Sequence, residues 1–168
     1  VWSHDAFRVG EDGPTHEPVE QEAQIRLMEK LHNHSGRPSV MVLRPADAEE
    51  TTAAWKMAME NIYTPTALIF SRQDVASVPN TSAEGVKKGA YIVSKDENPQ
   101  VVMLASGSEV STLMAGAELL RAEGVRLQIV SVPSEAIFRQ QSKEYQAEVL
   151  PQGVTRFGLT AGLPCNLE

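Results

Sequence analysis

A chain of 168 residues with a net charge of −7 lacks the positive charge of a dedicated nucleic-acid-binding surface. Its 42% hydrophobic and 22% charged residues are ordinary for a soluble globular protein of one domain or two small ones, and no apolar run approaches membrane-spanning length. The single cysteine, Cys165, excludes a disulfide framework and a cysteine-based zinc cluster, and a reducing, cytoplasmic setting is expected.

A polar stretch at residues 4–16 holds two histidines, three carboxylates, an arginine, two glycines and a proline. It follows a short segment, 1–3, that is predicted to be the end of a strand. Gly10, Gly13 and Pro14 favour turns, so the stretch is predicted to be an irregular loop, where binding and catalytic residues concentrate. We expect this loop to carry the chemistry of the chain.

The residues after the loop alternate between helical and extended patterns. A helix is predicted over 17–33, then a buried strand over 39–43, a helix over 47–61 and a strand over 67–70. The apolar stripe of the first helix consists of Val19, Ala23, Leu27 and Leu31. This order of strands and helices favours a parallel α/β sheet.

Residues 73–88 are rich in turn-forming and polar side chains, a composition typical of a linker. A second unit is predicted after it. Its elements are strands over 90–93 and 101–105, a helix that residues 106–108 open and Gly124 caps, a strand over 125–132 and a helical stretch from 133 to 150. The central strand, helix and strand predict another βαβ unit with a right-handed crossover.

Three basic residues, His4, Arg44 and Arg72, follow the first three predicted strands directly. In parallel α/β sheets ligands gather at the carboxyl ends of the strands, so these residues are candidates for one crevice together with Asp12 and His16. Arginine matches the geometry of phosphate and carboxylate, which favours an anionic, hydroxyl-rich ligand such as a sugar phosphate. The alternative is that Arg44 and Arg72 are surface arginines paired with nearby acids.

Other kinds of site fit the sequence less well. His4, Asp12 and His16 are possible metal ligands, but their spacing is not that of a known zinc motif. A Ser–His–Asp triad lacks the G-x-S-x-G elbow that would expose its serine. Residues 106–108 open a helix and are candidates for anion binding, but they lack a Walker lysine and the full dinucleotide fingerprint, so a structural turn is favoured.

Five groups of residues resemble the transketolase family. Residues 4–5 and 9–21, which include a glycine–glutamate–aspartate–glycine–proline–threonine–histidine run, are similar to a motif of its pyrimidine-binding domain. Further similar segments follow in order at 43–47, 65–73, 105–110 and 160–162. The resemblance covers essentially the whole chain.

The resemblance implies α/β units with three layers around parallel sheets. Residues 1–75 correspond to the C-terminal part of the thiamine-diphosphate-binding pyrimidine domain, 76–88 to a linker and 89–168 to a truncated transketolase C-terminal domain. The chain is therefore expected to be a fragment of a longer protein. Arg8 stands where family members usually have a small residue, and segment 28–39 looks longer than in typical relatives, which predicts a longer surface connection.

The resemblance also implies roles for four residues. His4 and Arg72 correspond to residues that hold the sugar phosphate. Asp12 corresponds to the carboxylate that reads the hydroxyl configuration of the donor, because the wrong epimer would leave it unpaired. His16 corresponds to a histidine that bonds substrate hydroxyls near the reactive end of thiamine diphosphate, and it is the catalytic candidate. The second domain is expected to serve packing and subunit contact.

The implied cofactors are thiamine diphosphate and Mg²⁺ or Ca²⁺, and no cofactor or metal ligand is assigned within this chain. The family's activating glutamate and its diphosphate and metal ligands are expected upstream of Val1, so the chain alone is expected to be inactive. The parent would be a homodimer that transfers a two-carbon ketol unit from a ketose phosphate to an aldose phosphate in the pentose phosphate pathway. The alternatives are dihydroxyacetone synthase, which differs in acceptor, and a non-catalytic split-subunit or dimerisation module.

Overall fold

The computed structural model describes residues 1–6, 16 and 18–167. The first half contains α1 (Gln21–Met28), β1 (Met41–Leu43), α2 (Ala48–Glu60) and β2 (Thr66–Leu68). The second half contains α3 (Ala83–Lys88), β3 (Tyr91–Lys95), β4 (Val101–Ala105), α4 (Glu109–Ala122), β5 (Leu127–Ser131), α5 (Glu135–Arg139), α6 (Lys143–Val149), β6 (Thr155–Leu159) and a 3-10 helix over Pro164–Leu167. The predicted α/β class, with parallel strand pairs in both halves, is confirmed.

The first sheet is small and parallel. β1 pairs with β2, and the chain start joins them through a parallel bridge between Trp2 and Ile69. Trp2 donates its N–H to the Leu68 carbonyl at 2.8 Å, and its own carbonyl accepts from Phe70 N–H at 2.8 Å. The predicted strand end at residues 1–3 is therefore a single bridging residue beside β2, and the polar loop leaves from the carboxyl edge of this sheet.

The first helix differs from its prediction in both length and buried face. α1 covers 21–28 rather than 17–33, and Leu27 and Leu31 of the predicted apolar stripe are each 58% exposed. The chain then forms a short antiparallel bridge between His32 and Pro38, inside the segment that was expected to be long. The side chains of α1 that are buried are charged, which decides the architecture of the site below.

The second sheet has the strand order β3-β5-β4-β6. β4 is parallel to both β5 and β6, and β4, α4 and β5 form the predicted βαβ unit, while β3 runs antiparallel to β5. Gly124 has a φ of 83°, in agreement with the predicted helix cap. The strand β6 was not predicted, because most of its residues are exposed and no buried apolar run marks it.

Two connecting regions are more ordered than the sequence predicts. The segment expected to be a linker contains α3, which Ser82 caps through the Gly85 N–H, and its Val78 is 5% exposed. The helical stretch from 133 to 150 is divided into α5 and α6, and Ser142 caps the second of these. Both regions pack against the body of the molecule.

A single hydrophobic cluster runs through both halves of the chain. It includes Leu43 and Leu68 from the first sheet and Val86, Val110 and Ile129 from the second half, all 1% exposed or less. Burial of this shared apolar surface is the main favourable contribution to folding. Among the described residues, no helix has the length and apolar character needed to cross a membrane.

Asp47 connects the two halves at the start of α2. One carboxylate oxygen accepts the Glu50 N–H at 3.0 Å and so caps the helix. The other oxygen accepts the Val78 N–H at 2.9 Å and the Thr81 hydroxyl at 2.8 Å. One carboxylate thus satisfies a helix terminus and the segment that leads into the second half.

Asp47→Ala is expected to lower the free energy of unfolding by about 2–4 kcal/mol, because it removes a helix cap and leaves the buried Val78 N–H unsatisfied. The control is Ser142→Ala, which removes the cap bond to Tyr145 N–H and a hydrogen bond to the exposed Glu144 side chain and should cost about 1 kcal/mol. Urea unfolding followed by circular dichroism measures both losses. Equal losses would show that the bonds from Asp47 to Val78 and Thr81 contribute nothing.

Candidate functional site

Arg44 directly follows β1, and its side chain lies in the interior, where it is 1% exposed. Its N–H donates to the Pro133 carbonyl at 2.9 Å, and its carbonyl accepts from the Gly107 N–H at 3.1 Å. Both partners belong to loops of the second half, so the backbone of Arg44 is held between them. The carboxyl end of β1 is therefore the place where the two halves meet.

The guanidinium of Arg44 is surrounded by oxygen atoms. Nη1 donates to the Ser106 carbonyl at 2.6 Å, and Nη2 lies 2.7 Å from both Asp5 Oδ2 and Glu109 Oε2. Burial acts to lower the pKa of Arg44, but the charges of Glu109, Glu22 and Asp5 outweigh it, so the pKa is raised. Arg44 is consequently a charged structural residue and not the ligand-facing or surface arginine that its position suggested.

Two serines extend this cluster. Asp5 Oδ2 also accepts the Ser71 hydroxyl at 2.8 Å, and the Ser71 oxygen lies 2.8 Å from Ser108 Oγ. Glu109 accepts the Ala161 N–H through its other oxygen at 3.0 Å. The ends of the first-sheet segments are thus hydrogen-bonded directly to the start of α4.

Residues 106–108 form the structural turn that the sequence favoured over an anion site. Gly107 has a φ of 64°, and a Cβ at this position would lie 2.7 Å from Arg44 Cζ. Glycine is required here for two reasons, the left-handed backbone and the close approach of the guanidinium. The turn forms one wall of the cluster around Arg44.

The buried face of α1 continues the charged cluster toward α5. Arg26 is 5% exposed, and its Nε lies 2.8 Å from Glu22 Oε1 and 3.5 Å from Glu135 Oε1. Glu29 is also buried, and its Oε1 accepts the Val42 N–H at 3.0 Å. Burial raises the pKa of Glu29 to about 7, and it also raises the pKa of Glu135.

The structure brings two of the four predicted site residues to neighbouring segments. His4 precedes Asp5 and Arg72 follows Ser71, and those two intermediate residues are hydrogen-bonded to each other. His4 and Arg72 are both exposed at this edge, and Ser3 Oγ lies 2.9 Å from His4 Nδ1. His16 is exposed as well, whereas Asp12 lies outside the described residues.

Three residues of this edge were not singled out from the sequence: Asp5, Ser71 and Glu109. Each is adjacent to a position that the sequence did single out, either a strand-end residue or the turn at 106–108. The signal that could have found them is the placement of polar residues immediately after apolar strands and at the opening of α4. Their pairing with Arg44 is a tertiary contact that no local pattern carries.

A metal or cofactor site does not emerge from the described residues. Among residues 1–6, 16 and 18–167, no three His, Cys, Asp or Glu side chains are grouped so that they could hold a metal ion. The carboxylates at the end of β1 are already engaged with Arg44.

A cleft of about 590 Å³ lies elsewhere, between α1, α5 and the C-terminal segment. Arg26, Glu29, Glu135, Leu163 and Cys165 contribute to its lining, and His4 and Arg72 do not. His4 borders a small cavity of about 20 Å³. The exposed edge at His4 and Arg72 has the chemistry that anion binding needs, so we take it as the candidate site.

Comparison with known families gives two matches in succession. Residues 1–77 match the transketolase pyrimidine-binding domain, and residues 89–168 match the transketolase-like C-terminal domain. A transketolase from Geobacillus stearothermophilus is 47% identical over 161 residues, which is 93% of this chain and 23% of that protein. The chain thus spans about a quarter of the length of this relative.

Solved structures give the same result. A transketolase from Leishmania mexicana superimposes with a TM-score of 0.88 at 41% identity and covers 98% of this chain, which corresponds to 23% of that protein. A transketolase mutant from Pichia stipitis in complex with xylulose 5-phosphate gives a TM-score of 0.86 at 35% identity, with 96% of this chain and 23% of that one covered. The architecture of both halves is shared with these proteins.

The burial of Glu29 makes the free energy of unfolding decrease as the pH rises. The folded chain holds the proton up to a pKa of about 7, whereas the ordinary value is 4.5. The stability that the protonated form contributes is full below pH 4.5 and is lost as the pH rises through 7. Glu135 acts in the same direction.

Ionisation of Glu29 is expected to lower the free energy of unfolding of the wild type by about 3 kcal/mol between about pH 5 and about pH 8. Glu29→Gln should not show this decrease, because the amide has no proton to release. The amide oxygen still accepts the Val42 N–H. Glu60→Gln, at an exposed carboxylate that pairs with Lys56, is the control and should leave the pH profile unchanged. Urea unfolding across this range measures the effect, and identical profiles for Glu29→Gln and wild type would contradict it.

Proposed function

Because its two halves belong to the transketolase pyrimidine-binding and C-terminal domain families, we propose that this chain is the part of a transketolase that binds sugar phosphates. The intact enzyme would transfer a two-carbon ketol unit from a ketose phosphate to an aldose phosphate, as in the pentose phosphate pathway. The observation that carries the proposal is that His4 and Arg72 lie on neighbouring segments at the carboxyl edge of the first sheet.

The chemistry of this edge suits a phosphate. Arg72 supplies a planar, permanently charged donor fork, and His4 adds a second nitrogen donor from the adjacent segment. Ligands of parallel α/β sheets bind at this edge, beyond the carboxyl ends of the strands. A Pichia stipitis transketolase has been solved with xylulose 5-phosphate, and another with fructose 6-phosphate, which supports a ligand of this class.

Asp12 and His16 complete the proposed site. We assign Asp12 the recognition of the donor's hydroxyl configuration, and His16 the hydrogen bonds to substrate hydroxyls next to the reacting carbon. Recognition by a polar group is sharp, because an epimer that fails to pair with it leaves that group unsatisfied. Both roles are proposed from the sequence motif at residues 9–21.

The proposed cofactors are thiamine diphosphate with Mg²⁺ or Ca²⁺. We assign the cofactor and metal ligands mostly to parts of the enzyme outside this chain, as the resemblance to the transketolase family implies. We further propose a cytoplasmic homodimer, and a division of this chain into a pyrimidine-domain part at 1–75, a connection at 76–88 and a C-terminal domain part at 89–168.

Arg72→Ala in the complete parent enzyme should raise the KM for phosphorylated sugars about tenfold or more, because a charged hydrogen-bonding fork to the phosphate is lost. The assay is two-carbon transfer from xylulose 5-phosphate to ribose 5-phosphate with thiamine diphosphate and Mg²⁺. Arg156→Ala is the control, since this exposed arginine donates to the Leu150 carbonyl, directly after α6, and should leave KM unchanged.

The same assay separates the alternatives. An unchanged KM in Arg72→Ala would remove Arg72 from the site and leave the reaction standing. Transfer to a different aldehyde but not to ribose 5-phosphate would favour dihydroxyacetone synthase. No transfer to any acceptor by the wild type would favour a non-catalytic module.

The isolated chain is expected to show no transfer activity and no magnesium-dependent binding of thiamine diphosphate. The reason is that the proposal assigns the metal and diphosphate ligands to other parts of the enzyme, and a diphosphate without its metal has little to hold it. Isothermal titration calorimetry with the cofactor, with and without Mg²⁺, measures this. Tight binding that depends on Mg²⁺ would contradict the expectation.

A further inference from the structure

We propose that Glu109, at the start of α4 in the C-terminal domain part, is a positioning residue for the sugar-phosphate site. It acts through Arg44 and Asp5 on His4, and its neighbour Ser108 acts through Ser71 on Arg72. This inference rests on the proposed function, because it takes His4 and Arg72 to be the phosphate-binding pair. It gives the second half of the chain a part in substrate binding.

The first path runs through one nitrogen atom. Arg44 Nη2 lies 2.7 Å from Glu109 Oε2 and 2.7 Å from Asp5 Oδ2, so the two carboxylates share it. Asp5 is the residue after His4, and its N–H donates to the Phe70 carbonyl at 3.1 Å. A shift of the guanidinium toward or away from Asp5 therefore moves the backbone that carries His4.

The second path is shorter. Ser108 Oγ lies 3.3 Å from Glu109 Oε2 and 2.8 Å from Ser71 Oγ, and the Ser71 hydroxyl also bonds Asp5 at 2.8 Å. Ser71 is the residue before Arg72. The two paths meet at Asp5, so His4 and Arg72 are held relative to each other by one hydrogen-bonded group.

Burial makes this group stiff. Glu109 is 0% exposed, Arg44 1% and Asp5 4%, and charges in such surroundings interact far more strongly than they do in water. With glutamine at position 109, either the side-chain nitrogen meets Arg44 Nη2 as donor against donor, or the bond to the Ala161 N–H is lost. In either case the guanidinium loses a negative charge at 2.7 Å, and its remaining carboxylate partners are Asp5 at 2.7 Å and Glu22 at 3.8 Å.

If Glu109 only stabilised the fold, its loss would affect both kinds of substrate equally, as would the loss of another buried carboxylate that joins the two halves. The chain offers such a carboxylate as a matched control. Glu50 is also 0% exposed and also joins the two halves, through the Tyr91 hydroxyl at 2.7 Å and the Ser131 hydroxyl at 2.6 Å. Its other oxygen accepts the Ala46 N–H. Loss of the Glu50 carboxylate weakens the contact between the two halves of the chain. None of these bonds of Glu50 involves Asp5 or Ser71.

The experiment compares Glu109→Gln, Glu50→Gln and wild type in the complete parent enzyme with thiamine diphosphate and Mg²⁺. One substrate pair is phosphorylated, xylulose 5-phosphate with ribose 5-phosphate, and the other carries no phosphate, hydroxypyruvate with glycolaldehyde. We expect Glu109→Gln to raise the KM for the phosphorylated pair about tenfold. The kcat for this pair, and both KM and kcat for the unphosphorylated pair, should stay within about twofold of wild type. Glu50→Gln should change neither pair.

A second variant covers the case in which Glu109→Gln does not fold. Ser108→Ala removes the contacts of Oγ with Ser71 and with Glu109 Oε2 but leaves the Glu109 carboxylate beside Arg44, and it should raise the KM for the phosphorylated pair by about threefold. Equal effects on both substrate pairs, or an equal effect in Glu50→Gln, would overturn the proposal. If Arg72→Ala raises KM and neither Glu109→Gln nor Ser108→Ala does, the proposed function stands and this inference fails. No transfer with either pair by the wild type would refute the proposed function itself.

Discussion

The positive charge of Arg44 has to be balanced inside the protein by carboxylates. The need to bring these carboxylates to Arg44 determines the arrangement of the chain around β1. A guanidinium keeps its proton in a protein, so carboxylates have to approach it when it is 1% exposed. They come from three separate elements, with Asp5 ahead of the first sheet, Glu22 on α1 and Glu109 on α4. Such pairs add little net stability, but a wrong arrangement leaves a buried charge unpaired and costs about 3–5 kcal/mol. The shared apolar core supplies the stability, and the ion cluster supplies the geometry.

The sequence predicts the order of helices and strands well, because that order depends on local patterns of apolar and turn-forming residues. Apolar runs and turn residues place β1, α2, β2, β4 and β5 close to where they lie, and Gly124 caps α4 as expected. The failures have a common cause. The four-residue spacing of α1 indicated Leu27 as core, whereas Arg26 is buried because Glu22 and Ser106 meet it there. β6 is ordered by its ladder with β4, since few of its own side chains are buried.

The candidate site also contains residues that the sequence predicts and residues that it does not. Its exposed basic residues, His4 and Arg72, follow strand ends, a position that the sequence alone reveals. The burial of Arg44 could not be predicted, since a strand-end arginine looks the same whether it faces solvent or an interior carboxylate. Its partner Glu109 is 65 positions away along the chain, and only the tertiary fold, which places the first residue of α4 beside the carboxyl end of β1, brings it close.

That separation along the chain has a consequence for biosynthesis. During translation Arg44 leaves the ribosome roughly several seconds before Glu109, at the usual rates of elongation. In that interval the first sheet can form its strand ladder but cannot bury the guanidinium, because Glu109 and the glycine turn at residues 106–108 have not yet been synthesised. The nascent first half therefore holds its carboxyl edge open to water, and the arrival of α4 closes it. The edge that carries His4 and Arg72 is completed last.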